Sequence, residues 1–222
     1  MNIYKKDSYD IQLSIKEHSE GIFSFIQLKN GKIITCSHDK TMKIWKLNNE
    51  NKYECIKTIY FQKSQGTCDI FKLNENEFVT SSENDECIKF WNSNNYSNIT
   101  TINKIDTWMG KIMCLLENDL LCVGGYQKGF YLIKISNHQL IKNIFITQTI
   151  YCIKKCLDGL FLCSFSEKGN HFLVKYKYEE QDLKKVFEKE KAHNNFIRAC
   201  VELDNGIIAS GGEDNLIKLW KN

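Results

Sequence analysis

The chain has 222 residues, 42% hydrophobic and 26% charged, with 12 glycines and no proline. Its 30 Lys and Arg against 27 Asp and Glu leave a formal net charge of +3, which argues against a nucleic-acid tail, an acidic low-complexity chain or wholesale disorder. No stretch approaches the roughly 20 apolar residues of a membrane span, and the opening Met1-Asn2-Ile3-Tyr4-Lys5-Lys6-Asp7 lacks the apolar run of a secretory signal. The expectation is a soluble globular protein of the cytoplasm, with the nucleus also open.

In chain order, a lone strand at 9–15 (YDIQLSI) precedes His18. The runs IFSFIQL, KIITCS and TMKIWKL follow, alternating with period two and separated by turn residues, as half-buried strands do. GKIITCSHDKTMKIW ends at Trp45, NEFVTSSENDECIKFW at Trp91 and NGIIASGGEDNLIKLW at Trp220. An acid stands six residues before each tryptophan: Asp39, Asp85 and Asp214. A histidine stands 21 residues before the first and last of these, His18 and His193. Two degenerate copies lie between: 117–133 places Ile133 at the tryptophan position and Gln127 at the acid, and 158–176 places Glu167 near the acid and Leu173, Val174 or Tyr176 near the tryptophan. The step averages about 44 residues, within the ~40–45 of a four-stranded propeller blade. Segment 179–192 has helical spacing at Leu183, Val186 and Phe187, but reads as a charged outer strand.

This pattern resembles the WD-repeat family of β-propellers over nearly the whole chain, although Lys46, Asn92 and Lys221 replace the aspartate that usually follows the tryptophan. The resemblance implies an all-β fold, one β-propeller domain over 1–222 with about five four-stranded blades. In such a repeat an outer strand precedes three inner ones, so strand 9–15 would complete the last blade and close the ring. The rival reading is a fragment, or a partial ring completed by another chain.

The resemblance also implies roles. His18, Thr35, Asp39 and Trp45, and likewise His193, Ser210, Asp214 and Trp220, would form hydrogen-bonded tetrads inside their blades. The second copy keeps Ser81, Asp85 and Trp91 but has Ser64 at the histidine position. A Ser–His–Asp triad is the alternative, yet a nucleophile needs an open cleft and an oxyanion hole. Partner contacts would come from the inner-strand positions Phe23, Asp69, Lys111, Tyr151 and Arg198. The residues before the turn acid, His38, Asn84, Tyr126, Ser166 and Glu213, would join them, with Phe196 and Trp108 in the preceding loops. Phe23 and Tyr151 could equally pack between blades.

Ten cysteines stand at 36, 55, 68, 87, 114, 122, 152, 156, 163 and 200, without the C-x-x-C spacing or histidine pairs of a zinc site. They read as buried free thiols, with no metal and no cofactor. Arg198 is the single arginine, so no arginine cluster can grip phosphates. Cullin-adaptor propellers share an arginine two residues beyond Trp-Asp, and phosphoinositide-binding ones a Phe-Arg-Arg-Gly motif; neither occurs here. The expected function is a non-enzymatic scaffold or adaptor within a complex, binding proteins or peptides and neither nucleic acid nor membrane. The alternatives are a fragment of a larger WD-repeat regulatory protein, such as a ubiquitin-pathway or signalling subunit, and remotely a hydrolase using Ser210 and His193.

Overall fold

A computed structural model describes residues 2–4, 11–61, 68–82, 86–106, 112–117, 119–125, 129–180 and 182–221. Among the described residues every regular element is a strand, and none is a helix. The first sheet is β3 (Ile22–Gln27), β4 (Ile33–Ser37), β5 (Thr41–Leu47) and β6 (Tyr53–Tyr60). The second is β7 (Cys68–Lys72), β8 (Glu77–Ser82), β9 (Cys87–Asn92) and β10 (Asn98–Asn103). The third is β11 (Met113–Glu117), β12 (Leu120–Gly124), β13 (Phe130–Lys134) and β14 (Gln139–Ile144). The fourth is β15 (Thr149–Lys155), β16 (Phe161–Glu167), β17 (Asn170–Glu179) and β18 (Asp182–His193). The last is β19 (Ile197–Glu202), β20 (Ile208–Gly212) and β21 (Ile217–Trp220). Each is a meander whose neighbouring strands are consecutive in the chain.

Within the charged segment 179–192, residues 182–192 are strand, as expected. Residues four apart share a face at period two as well as at period 3.6, so Leu183 and Phe187 both turn partly inward, opposite Tyr178 and Lys175 of β17. Val186, of opposite parity, is exposed. Register also settles the fourth copy: Phe161 faces Tyr176 as Ile33 faces Trp45 and Ile208 faces Trp220, so Tyr176 holds the tryptophan position.

The chain's beginning differs from the expectation. Strand β2 (Ile11–Ser14), expected on the outer edge of the last sheet, pairs antiparallel with β1 (Asn2–Tyr4), and the last sheet holds three strands. Joining β2 to β1 closes a loop of a few residues, whereas joining it to the last sheet would close one of about 200, at a larger entropic cost.

By packing, the chain divides into two compact units, Met1–Asp85 with Phe90–Ile99, and Glu86–Lys89 with Thr100–Asn222. In the first, Ile34, Cys36, Met42 and Ile44 of the first sheet pack on Ile70, Phe78 and Trp91 of the second. In the other, Cys114, Cys122, Phe130 and Leu132 meet Ile150, Ile153 and Phe161. There too Cys152, Leu162 and Leu173 meet Ile197, Cys200 and Ile208. Cys36, Cys87, Cys114, Cys122, Cys152, Cys156, Cys163 and Cys200 are buried thiols outside any disulfide, and Cys55 is a half-buried one. Cys36, Cys114, Cys122, Cys152, Cys156, Cys163 and Cys200 fill these sheet-to-sheet seams as small apolar groups, Cys152 and Cys200 lying 3.6 Å apart at sulfur.

Candidate functional site

In the first sheet, Trp45 Nε1 donates to Thr35 Oγ1 at 2.8 Å, and Thr35 Oγ1 lies 2.7 Å from His18 Nε2. His18 Nδ1 lies 2.7 Å from Asp39 Oδ2. The last sheet repeats this chain: Trp220 Nε1 to Ser210 Oγ, Ser210 Oγ to His193 Nε2, and His193 Nδ1 to Asp214 Oδ1, each 2.8 Å. A neutral imidazole satisfies every partner when Nδ1–H donates to the carboxylate and Nε2 accepts from the hydroxyl.

Each acid also accepts backbone N–H groups from two loops, Asp39 from Ser19 and Thr41, Asp214 from Asn194 and Leu216. The carboxylates thereby pin the segment entering the sheet to the turn between its second and third strands. Burial pushes Asp214 up, but the hydrogen bonds from His193, Asn194 and Leu216 outweigh it and hold the carboxyl at about 2. Asp39 is lowered likewise, burial being outweighed by the side-chain bonds of Thr41 and His18. Gly212 is required beside this network, since a Cβ there would lie 2.6 Å from His193 Nδ1.

The second sheet departs from the expected pattern. Trp91 Nε1 donates to Thr80 Oγ1 at 2.9 Å, so Thr80 and not Ser81 takes the hydroxyl position. The turn between β8 and β9 is one residue longer, with 11 residues from hydroxyl to tryptophan in place of 10. Counting back from the tryptophan therefore lands on the opposite face of the strand. Asp85 and Ser64 lie outside the described residues.

Ser210 and the His193 side chain are both buried. Ser210 Oγ is already engaged by Trp220 and His193, which leaves no room at that oxygen for a substrate carbonyl.

The inner-strand positions have a common backbone cause. The register slips between Ile22 and Ser24, Ile150 and Cys152, and Ile197 and Ala199, leaving Phe23, Tyr151 and Arg198 as the extra residues of β-bulges. Each bulged side chain lies against the residue 15 positions later. Phe23 stacks on His38 with centroids 3.9 Å apart, the Ser166 hydroxyl lies 3.5 Å from that of Tyr151, and Arg198 Nε donates to Glu213 Oε1 at 2.7 Å.

In the second unit these groups merge. The Arg198 guanidinium lies 5.2 Å from the Tyr151 ring centroid and 5.4 Å from that of Phe196, and the two rings are 4.8 Å apart. His171, which the sequence did not single out, meets the Phe196 ring edge-on at 5.0 Å and is pushed down by burial, hence neutral. Tyr151 itself is buried beneath this layer. Arg198 and Glu213 are exposed and Phe196 is half-buried, while Phe23 is exposed in the first unit.

Asp69 is not on such a face. No bulge precedes it; it pairs with Ser81, as Ser24 pairs with Cys36, and it is buried with Ser24 Oγ donating to its Oδ1 at 2.9 Å. Asn84, Lys111, Tyr126 and Trp108 lie outside the described residues.

Only one group among the described residues has metal-ligating spacing: Cys156, Asp158 and Glu202. Lys175 Nζ contacts Glu202 at 2.7 Å and Asp158 at 2.8 Å, so an ammonium already supplies the positive charge these carboxylates need. Burial pushes the Cys156 thiol up to about 12, which keeps it protonated and a poor ligand at neutral pH.

The comparisons agree with this architecture. Residues 10–46 and 183–221 match the model of the WD domain, G-beta repeat, the WD40 repeat. A chain in the crystal structure of the mitotic checkpoint complex superposes with a TM-score of 0.78 at 13% identity, over 100% of this chain and 69% of that one. The WD40 β-propeller domain of Doa1 gives 0.69 at 20% identity, over 96% of this chain and 67% of its own. No curated protein matches the sequence. Two segments of the chain match the WD40 repeat, and the chain has the β-propeller fold. WD40 propellers generally serve as non-catalytic modules that bind proteins.

Proposed function

We propose that this protein is a non-enzymatic interaction scaffold of the cytoplasm, working within a complex and presenting the bulged ends of its inner strands to a protein or peptide. The observation that carries this reading is the Arg198–Phe196–Glu213 surface, held by Tyr151 and His171 beneath it. A partly exposed aromatic ring beside a guanidinium fixed by a carboxylate is the chemistry of interface anchors, where aromatic and arginine side chains dominate the energy. Phe23 and His38 offer a second aromatic pair. That one chain of similar fold comes from a multi-protein complex supports assembly with other proteins.

The test compares immobilised wild-type chain with the Phe196→Ala/Arg198→Ala double variant. Proteins retained by the wild type should be lost from the variant at an unchanged melting temperature. Full retention would place the binding surface elsewhere.

A further inference from the structure

The third and fourth sheets pack together within one compact unit, and a groove of about 610 Å³ opens at one end of their seam. That size suits a small ligand or a short peptide segment. Its apolar lining is the buried Leu120 and Leu132, the exposed Leu140 and Ile141 of β14, and Tyr178 contributed by β17 of the fourth sheet. The exposed pair has a backbone cause. Leu132 pairs with Lys142 and Ile133 with Leu140, so Ile141 is the extra residue of a β-bulge. A bulge sets two residues against one on the partner strand. Here both line the groove, Leu140 at 42% and Ile141 at 53% exposure.

Register arranges the charges. Glu117, Leu120, Lys134 and Gln139 pair in turn across β11, β12, β13 and β14, forming one row that lines the groove. Neighbouring strands stand about 4.8 Å apart, which puts Glu117 and Lys134 about 10 Å apart at the backbone, with Leu120 between them. The other charges of the groove are already engaged. Both Asp119 oxygens accept from Ser136, from its N–H at 2.6 Å and its hydroxyl at 2.8 Å, and Lys142 lies 3.5 Å from Asp182. Glu117 and Lys134 make no ion pair among the described residues. The groove thus offers a carboxylate, an apolar cleft and an ammonium in that order.

In an extended chain every second side chain points the same way, so residues i, i+2 and i+4 present three side chains to one surface. We infer that the groove takes an extended segment of a protein partner in which those three are a base, a large aliphatic residue and an acid. They meet Glu117, the cleft of Leu120, Leu140 and Ile141, and Lys134. Such a segment spans about 13 Å at the backbone, and the length of the charged side chains covers the difference. The two signs of charge favour a protein segment over a nucleic acid or lipid surface, whose phosphates Glu117 would repel. The inference is independent of the proposed function, because none of its residues belongs to the Arg198 surface.

Fluorescence anisotropy of the full chain with a labelled, amidated Lys-Ser-Leu-Ser-Glu probe tests it. The wild type should bind with a Kd below about 1 mM. Glu117→Lys and Ile141→Ser should each weaken binding about fivefold or more, through like-charge repulsion and lost apolar burial. Both residues are exposed, so the melting temperatures should not change. Glu117→Lys should in turn prefer the probe Glu-Ser-Leu-Ser-Glu, a reversal that a merely misfolded variant would not show. Phe196→Ala/Arg198→Ala should bind as the wild type does, which separates this groove from the Arg198 surface. No binding at about 1 mM, or binding indifferent to both groove substitutions, would overturn the inference. So would self-association of the chain abolished by Ile141→Ser, which would give the groove to a second copy.

Discussion

Asp214 shows how one carboxyl can hold a blade together. In the folded chain it stays ionised down to about pH 2, while its ordinary value is 3.8. Between those values the unfolded chain binds more protons, so stability rises with pH through this window and is lost as pH falls through it. The wild type should therefore lose stability between about pH 4 and pH 2, and Asp214→Asn should flatten that part of the profile in acid-dependent thermal melts. Thr80→Val addresses the corrected position in the second sheet. It strands the buried Trp91 N–H and should cost about 1–3 kcal/mol in denaturant unfolding. Ser81→Ala leaves that hydrogen bond in place and should cost less. Spacing alone could not separate Thr80 from Ser81, because one extra turn residue reverses which hydroxyl faces the tryptophan.

Strands depend on what covers them. In the fourth sheet Lys175 sits where the first sheet has Ile44, within an apolar run that gives no warning of an ion pair. Its charge is tolerated because Glu202, from the next sheet, is equally buried and also accepts the Leu157 N–H at 2.8 Å. Burial lowers the lysine, but its hydrogen bonds to Asp158 and Glu202 more than reverse this and keep it charged. Glu202→Ala should therefore destabilise by on the order of 3 kcal/mol, leaving an ammonium with only the half-exposed Asp158. The double variant Lys175→Met/Glu202→Leu should recover most of that loss, since an apolar pair of similar size removes the desolvation penalty. Chemical denaturation of both distinguishes a paired charge from a merely tolerated one.

For the molecule as a whole, the repeat makes stability a matter of parts that resemble one another without sharing residues. The networks of Asp39 and Asp214 have no common partner. Asp39→Asn and Asp214→Asn should thus lower unfolding free energy additively, the double variant falling within about 0.5 kcal/mol of the sum. A much larger loss would mean that the two blades fold as one indivisible set.

Several features were legible from the amino-acid order because they depend on local chemistry repeated at a fixed interval. Alternation marks strands, and a shared His–Ser/Thr–Asp–Trp spacing marks the blade, so the all-β repeat and both complete tetrads stood out. The strand character of 182–193 was open to the same reading, since Leu183 and Phe187 fit either period and the charged remainder suits an outer edge. Other features were decided only by tertiary structure. Bulges that free Phe23, Tyr151 and Arg198 arise from pairing between strands, and the burial of Asp69 follows from the lack of one. The pairing of β2 with β1 and the Lys175–Glu202 contact depend on which surfaces meet. A residue's periodicity says which side of a strand it occupies; only what packs against that side says whether water reaches it.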